Sequence, residues 1–230
     1  LHFAQVFKVV ELLGNEWAAD SLVHIPYGLV SLAGEKLSTR DGNVIYAEDI
    51  LKEAISKIKE IIIEKNPDLP NKDEVSKTVG VGAVMFNDLY NQRIKDVSFN
   101  WNKLLNPDGE TGPYVQYTYA RCSSILRNVG EYDISNIDYS IITNSASIAL
   151  IKDFDRFPSI IEDAAAKYEQ SVIARYVMDV AHSFNKFYTD HHINVEDEAT
   201  RNARVSLVVI TRRIIKDALA LLGIGDVEQM

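Results

Sequence analysis

The stretch Gly34-Glu35-Lys36-Leu37-Ser38-Thr39-Arg40-Asp41-Gly42-Asn43 places two cations and two hydroxyls between glycines. Lys36 and Arg40 can supply positive charge, and Ser38 and Thr39 can supply hydroxyl donors. The glycines permit tight turns that expose backbone N–H groups, so the stretch has the parts of a phosphate-contacting loop. The same composition describes a solvated hairpin loop, and a string this short does not separate the two. Other chemistry is poorly represented. The sequence contains no H-E-x-x-H, no G-x-S-x-G and no G-x-G-x-x-G. His191 and His192 are adjacent, so on a helix their side chains would point about 100° apart, a poor metal site. No metal site is expected.

The elements that must position this loop follow from hydrophobic spacing. Residues 1–13 predict a buried helix stopped at Gly14, and residues 22–32 read as short strands with Pro26 at an edge or bend. His24 is either a core histidine or a ligand contact near the loop. After the loop, Ile50, Leu51, Ala54, Ile55, Ile58, Ile61 and Ile62 recur at helical spacing, until Asn66-Pro67-Asp68-Leu69-Pro70 ends the helix. A second helix from about Asp73 to Asn91 is apolar on most sides. Gly80 and Gly82 within it imply close packing against another element. Val97, Phe99 and Trp101 alternate over a short extended stretch.

Asn106-Pro107-Asp108-Gly109 is a strong turn and marks the expected division of the chain into 1–106 and 107–230. Thr111 should cap a helix opened by Pro113, with Val115, Thr118, Cys122, Ile125 and Val129 on one stripe. Tyr114, Tyr117, Arg121 and Asn128 lie on a neighbouring stripe. A loop through 130–140 precedes helices near 145–154, 158–168, 169–189 and 196–222, with Pro158 separating two of them. In the last, Leu207, Ile210, Ile214, Ala218 and Leu221 predict a core face. No strand pattern follows residue 105. The expected fold is mostly α, its second half an α-helical bundle.

Composition narrows the function class without reaching a function. The 230 residues are 47% hydrophobic and 25% charged, ordinary for a soluble globular protein. No apolar run approaches the roughly 20 residues that span a bilayer, and no signal peptide is recognisable. Cys122 is the only cysteine, which excludes an internal disulfide and fits a reducing cytoplasm. A net charge of −9 argues against coating nucleic acid through overall charge, though a local basic groove remains compatible with it. The sequence has no initiating Met and reads as a piece of a longer chain.

Taken with its flanks, the sequence resembles the arginyl-tRNA synthetases, a family of class I aminoacyl-tRNA synthetases, from near residue 1 to Met230. Lys36-Leu37-Ser38-Thr39-Arg40 is similar to that family's form of the class I K-M-S-K-S motif. Gly109-Glu110-Thr111-Gly112-Pro113-Tyr114-Val115-Gln116-Tyr117 resembles the opening of its anticodon-binding domain, and Ser123 to Arg127 continues the match. Ala181 to Tyr188, and Leu221 to Met230, resemble its last helices.

The resemblance implies the C-terminal end of a class I nucleotide-binding α/β domain followed by a helical anticodon-binding bundle. It implies arginine, ATP with its accompanying Mg2+, and the tRNA for arginine as substrates, in the cytoplasm. Attack of the arginine carboxylate on the α-phosphate builds negative charge that positioned cations can stabilise. Lys36 and Ser38 are the expected catalytic residues, with Thr39 and Arg40 also on the ATP phosphates. Asp41 departs from the family pattern and weakens the field around Arg40. Nothing like the family's H-I-G-H motif is present, so the chain alone should not aminoacylate tRNA. The full-length enzyme is expected to be a monomer, and this piece could self-associate.

In the bundle, the resemblance points to Tyr188, His192 and Met230 against anticodon bases, since unstacked bases invite aromatic platforms. Tyr188 and His192 share a helical face if the helix runs that far. Arg204 and Lys216 are expected cations from a final stretch where Arg201, Arg204, Arg212, Arg213 and Lys216 concentrate, and Arg121, with Arg127, adds charge on the bundle's first helix. Two other readings stay open: a helical interaction module with neither catalysis nor tRNA binding, and another class I synthetase such as the cysteinyl relative.

Overall fold

The computed structural model of the chain describes residues 1–32, 35–36 and 46–230. Helices α1 (His2–Leu12) and α2 (Ala18–Ser21) lead to strands β1 (Val30–Leu32) and β2 (Glu35–Lys36). Two long helices follow, α3 (Ala47–Lys65) and α4 (Lys72–Tyr90), then strand β3 (Val97–Phe99) and the single turn α5 (Trp101–Leu104). The second half is α6 (Gly112–Val129), α7 (Ser145–Lys167), α8 (Ser171–Asp190) and α9 (Glu198–Leu221). The fold is mostly α. β1 is the middle strand of the small sheet, antiparallel to β2 and parallel to β3, with Val30 opposite Val97.

The helices start and stop where local chemistry directs them. The Asn100 side chain accepts from the N–H groups of Asn102 and Lys103, and so opens α5 at the residue after the strand. In the Asn106–Gly109 turn, Asn106 Oδ1 accepts from Asp108 N and its carbonyl from Gly109 N. Thr111 then caps α6 through Tyr114 N, with Pro113 in the first turn.

Three apolar clusters hold the helices together. The largest joins Phe86 of α4, Val115 and Tyr119 of α6, Val177 and Ala181 of α8, and Ile215 and Leu219 of α9. A second gathers Cys122, Leu150, Phe184, Phe187 and Val208 from α6 to α9. The third joins Ile58 and Ile62 of α3 to Val79 of α4, Phe99 and Leu104, and takes Val227 from the C-terminal tail with Met230 packed against it. Burial drives the Cys122 thiol pKa far up, so it behaves as a small core residue.

Several expectations are corrected. α1 forms, but none of its residues is buried; the short α2 packs beside it. Residues 22–29 are not strand. Two of their polar backbone groups are taken by a distant residue instead: the Pro26 carbonyl by Arg93 Nη1 and the Gly28 N–H by the Arg93 carbonyl. His24 is exposed and stacked on Phe3, so it is no core histidine. Pro158 does not divide two helices; α7 runs through it. Pro158 lies on the exposed face, where water can solvate the carbonyl it leaves unpaired, while Phe154, Phe157 and Ile160 pack continuously inward. Leu221 is exposed, because the chain turns away at Gly223 and sends Leu222 and Ile224 into the core instead.

The expected close packing at the α4 glycines is present. A Cβ on Gly80 would stand 2.8 Å from the Cα of Ile55 on α3, backbone that no rotamer change can move. Gly80→Ala should therefore destabilise the fold by about 1–3 kcal/mol through overpacking, although alanine is the better helix former. Thermal unfolding would register about 2–4 °C per kcal/mol for a chain this size. A midpoint at or above the parent's would contradict the α3–α4 contact.

Candidate nucleic-acid interface

Along α6, Tyr117 and Arg121 occupy successive turns of the stripe beside the apolar one, and on α8 Tyr188 lies in the last turn. Packing of α6 against α8 brings the three together. The Arg121 guanidinium stands 4.8 Å from the Tyr117 ring centre and 5.3 Å from that of Tyr188. Asn185, one turn before Tyr188, accepts from Arg121 Nη1 and donates to Tyr114 Oη at 2.9 Å and Thr118 Oγ1 at 3.0 Å. Both of its polar ends are used, which fixes the arginine in place. Buried Phe184 stacks behind Tyr188. Tyr117 and Tyr188 remain 42% and 40% exposed, so each presents part of its ring to solvent beside a held cation.

These residues line an open pocket of about 510 Å³. Its other walls are the α3–α4 turn (Asn66, Asp68, Pro70) and the end of the chain (Gln229, Met230). Aromatic rings, the Arg121 and Arg127 guanidinium groups, a thioether, rim amides and the Asp68 carboxylate suit a flat, polar-edged group such as an unstacked base. Among the described residues no group of three or more His, Cys, Asp or Glu could hold a metal. No helix of the described residues is long and apolar enough to cross a membrane.

Met230 reaches the pocket because the tail is tied down beside it. Tyr119 Oη donates to Glu228 Oε1 at 2.9 Å, Arg212 pairs with the same carboxylate, and Arg127 Nη2 donates to the Glu228 carbonyl at 3.2 Å. Arg212 also donates to Ser123 Oγ and lies 4.9 Å above the Tyr119 ring. Further back, Gln116 Nε2 donates to the Gly225 carbonyl at 2.7 Å. Partial burial works to raise the Glu228 pKa, but hydrogen bonds from Ser123, Tyr119 and Arg212 outweigh it and hold the carboxyl below its ordinary value.

The structure thus brings together three of the expected RNA contacts, Tyr188, Arg121 and Met230, and sets three apart. α8 ends at Asp190 and His191 is extended, so His192 leaves the helix and does not share the Tyr188 face. His191 instead stacks on Phe187. Arg204 donates to the His192 carbonyl, and Lys216 stands 3.7 Å from Asp226. Of the loop, the Lys36 backbone pairs with Ser31, whereas Ser38, Thr39 and Arg40 lie outside the described residues. Tyr117, Asn185 and the α3–α4 turn were not expected at the site. The spacing of Tyr117 and Arg121 on one stripe carried a signal for the first; nothing local marks the turn.

Comparison with known proteins bears on this geometry. A family described as DALR anticodon binding domain matches residues 115–230, and one described as tRNA synthetases class I (R), catalytic domain, matches residues 1–101. The arginine–tRNA ligase of Halothermothrix orenii is 48% identical over 231 residues, covering 100% of this chain and 40% of the relative. That of Clostridium beijerinckii is 50% identical over 231 residues, covering 100% and 41%. The chain therefore spans about 40% of the length of these curated relatives. The solved arginyl-tRNA synthetase of Thermus thermophilus superposes with a TM-score of 0.89 at 32% identity, covering 98% of this chain and 38% of that one. The Plasmodium falciparum arginyl-tRNA synthetase gives 0.81 at 24% identity, covering 100% and 39%, a likeness of fold.

The tail tie carries a pH dependence whose sign is fixed. A depressed carboxyl contributes its full stabilisation above the ordinary value of 4.5 and loses it as pH falls through the lower folded-state value. The 13C-methyl resonance of Met230, followed against pH, should shift with a midpoint below 4.5. In Glu228→Gln the neutral-pH resonance should already resemble the acid one. A resonance that stays flat until the whole fold melts would remove Glu228 as the tie.

Proposed function

The chain belongs to the arginyl-tRNA synthetase family, in the region of its DALR anticodon-binding domain, and from that premise we propose that its helical half reads the anticodon loop of a tRNA for arginine. Support comes chiefly from one observation: the Tyr117–Arg121–Tyr188–Met230 pocket presents two partly exposed aromatic rings and a fixed guanidinium inside the matched 115–230 segment. An unstacked base entering it gains ring stacking, and its acceptor edge meets the Arg121 fork.

The wider reading is an arginine–tRNA ligase of the class I type, working in the cytoplasm on arginine, ATP with its Mg2+, and tRNA. Residues 1–106 then belong to the catalytic domain and 107–230 to the anticodon-binding domain. The arginine carboxylate attacks the α-phosphate of ATP, pyrophosphate leaves to give an arginyl-adenylate, and a terminal ribose hydroxyl of the tRNA takes the arginyl group as AMP leaves. On this reading Lys36 and Ser38, with Thr39 and Arg40, neutralise the phosphoryl oxygens as charge develops. Arg204 and Lys216, each already engaged within the chain, then count as phosphate contacts only if RNA displaces those partners.

Binding of the chain to arginine-accepting tRNA, against a copy with a substituted anticodon, tests the pocket at two salt concentrations. The native anticodon should bind more tightly. Tyr188→Ala should remove about 1–3 kcal/mol of that binding, roughly five- to 150-fold, and erase the preference. Equal and steeply salt-dependent binding of both RNAs would mean phosphate contact without base reading. Binding of neither would leave the helical interaction module as the better description.

A further inference from the structure

Arg93 makes a connection that the anticodon pocket does not account for. It lies three residues beyond the end of α4, and its guanidinium is spread over two separate parts of the chain. Nη1 donates to the Pro26 carbonyl at 2.7 Å, Nε donates to the Tyr168 carbonyl at 2.8 Å, and Nη2 donates to the Lys167 carbonyl at 3.3 Å. The Glu169 carboxylate stands 3.8 Å from Nε, and both side chains are largely covered, at 25% and 17% exposure. Lys167 and Tyr168 close α7, where free carbonyls and the helix dipole favour a cation. Three carbonyls from two segments need a planar fork; a lysine ammonium is a point charge on a flexible stem.

On its other side the same segment receives the strands. Gly28 N donates to the Arg93 carbonyl at 2.6 Å, Leu29 N donates to Asp96 Oδ1 at 2.7 Å, and Val97 N donates to the Leu29 carbonyl at 2.9 Å. A Cβ on Gly28 would fall 2.2 Å from the Lys95 carbonyl oxygen, so the two backbones lie in direct contact. Residues 26–29 therefore enter β1 already fastened to residues 93–97, and β1 pairs with β2, which contains Lys36.

Two rods run from this clamp to the pocket. α4 starts just past the pocket-wall turn at residues 66–70 and ends at Tyr90, next to Arg93. α8 starts at Ser171, next to Glu169, and carries Tyr188 in its last turn. With 19 and 20 residues, they are about 28 and 30 Å long at 1.5 Å per residue. They pack on one another antiparallel, sharing the cluster of Phe86, Ile173 and Val177. Close-packed interiors of this kind transmit displacement instead of absorbing it. Two of the pocket's walls, the α3–α4 turn and the end of α8, thus lead back to the one guanidinium that holds the segment leading into β1.

We propose that Arg93 is a positioning residue that couples occupancy of the Tyr117–Tyr188 pocket to the placement of β1 and β2. The inference rests on the anticodon reading of that pocket. Coupling between two sites is reciprocal, so the strand segment should feel RNA bound at the far end of the rods.

Hydrogen–deuterium exchange on the full chain tests it, with and without a saturating RNA stem-loop carrying an arginine tRNA anticodon. RNA should change the exchange rates of amides 27–31 by about fivefold or more, and R93A should still bind RNA but lose that change. A merely structural staple gives faster exchange at 27–31 in R93A with the RNA-induced ratio retained, which would overturn the proposal. So would wild-type chain that binds RNA with no change at 27–31. If R93A does not fold, R93K serves, because its single ammonium cannot span the Pro26 and Tyr168 carbonyls. Wild-type chain that binds no RNA would overturn the anticodon reading itself, and the coupling with it.

Discussion

The return of the C-terminal tail across α6 is the constraint on which the site depends. Beyond Gly223 the chain has no helix to fold on, yet Ile224, Val227 and Met230 all find apolar partners. They can do so because polar groups at each step hold the backbone: Gln116 on the Gly225 carbonyl, then Tyr119 and Arg212 on the Glu228 carboxylate. A carboxylate taking a phenol and a guanidinium together accepts charge-assisted bonds, the stronger class. The last residue thereby becomes part of a pocket wall.

The same arrangement shows why α6 can be polar on so much of its buried surface. Gln116, Thr118 and Ser123 are all buried, and a helix so placed would ordinarily be destabilised by unpaired groups. Here Gln116 reaches two carbonyls, Thr118 bonds the Tyr114 carbonyl and accepts from Asn185, and Ser123 accepts from Arg212. Of these three side chains, only the Gln116 carbonyl oxygen is left without a partner among the described residues. The polar stripe thus binds α6 to α4, α8, α9 and the tail at once, leaving Tyr117 and Arg121 free to face outward.

How much of this was legible in the sequence depended on range. Caps, turns and stripes are local, so Thr111 and the Asn106–Gly109 turn could be read from neighbouring residues. Gly80 and Gly82 signalled a close approach but not its partner, because Ile55 is distant in sequence. Pro158 misled, since a proline on an exposed face removes one solvated hydrogen bond and leaves the inward stripe intact. His192 failed for a similar reason: spacing assumed a helix that ends at Asp190. The α3–α4 turn as a pocket wall, and Glu228 as the tie for the tail, are products of tertiary packing with no periodic signal.

The cations illustrate the limit most clearly, and they bear on how an acidic chain could hold RNA. A run of arginines toward the end of the sequence suggests a phosphate track. In the fold Arg212 pairs with Glu228, Arg213 with Asp217 and Lys216 with Asp226, while Arg204 is drawn to a backbone carbonyl. Each such carboxylate lowers the field a phosphate would feel within the Debye length of about 8 Å. Arg121 is different: its partners among the described residues are a neutral amide and two ring faces. On the proposed reading, recognition on this surface leans on base stacking around the Arg121 guanidinium more than on counterion release. That balance favours discrimination between bases over raw affinity, which is what a chain of net charge −9 can deliver.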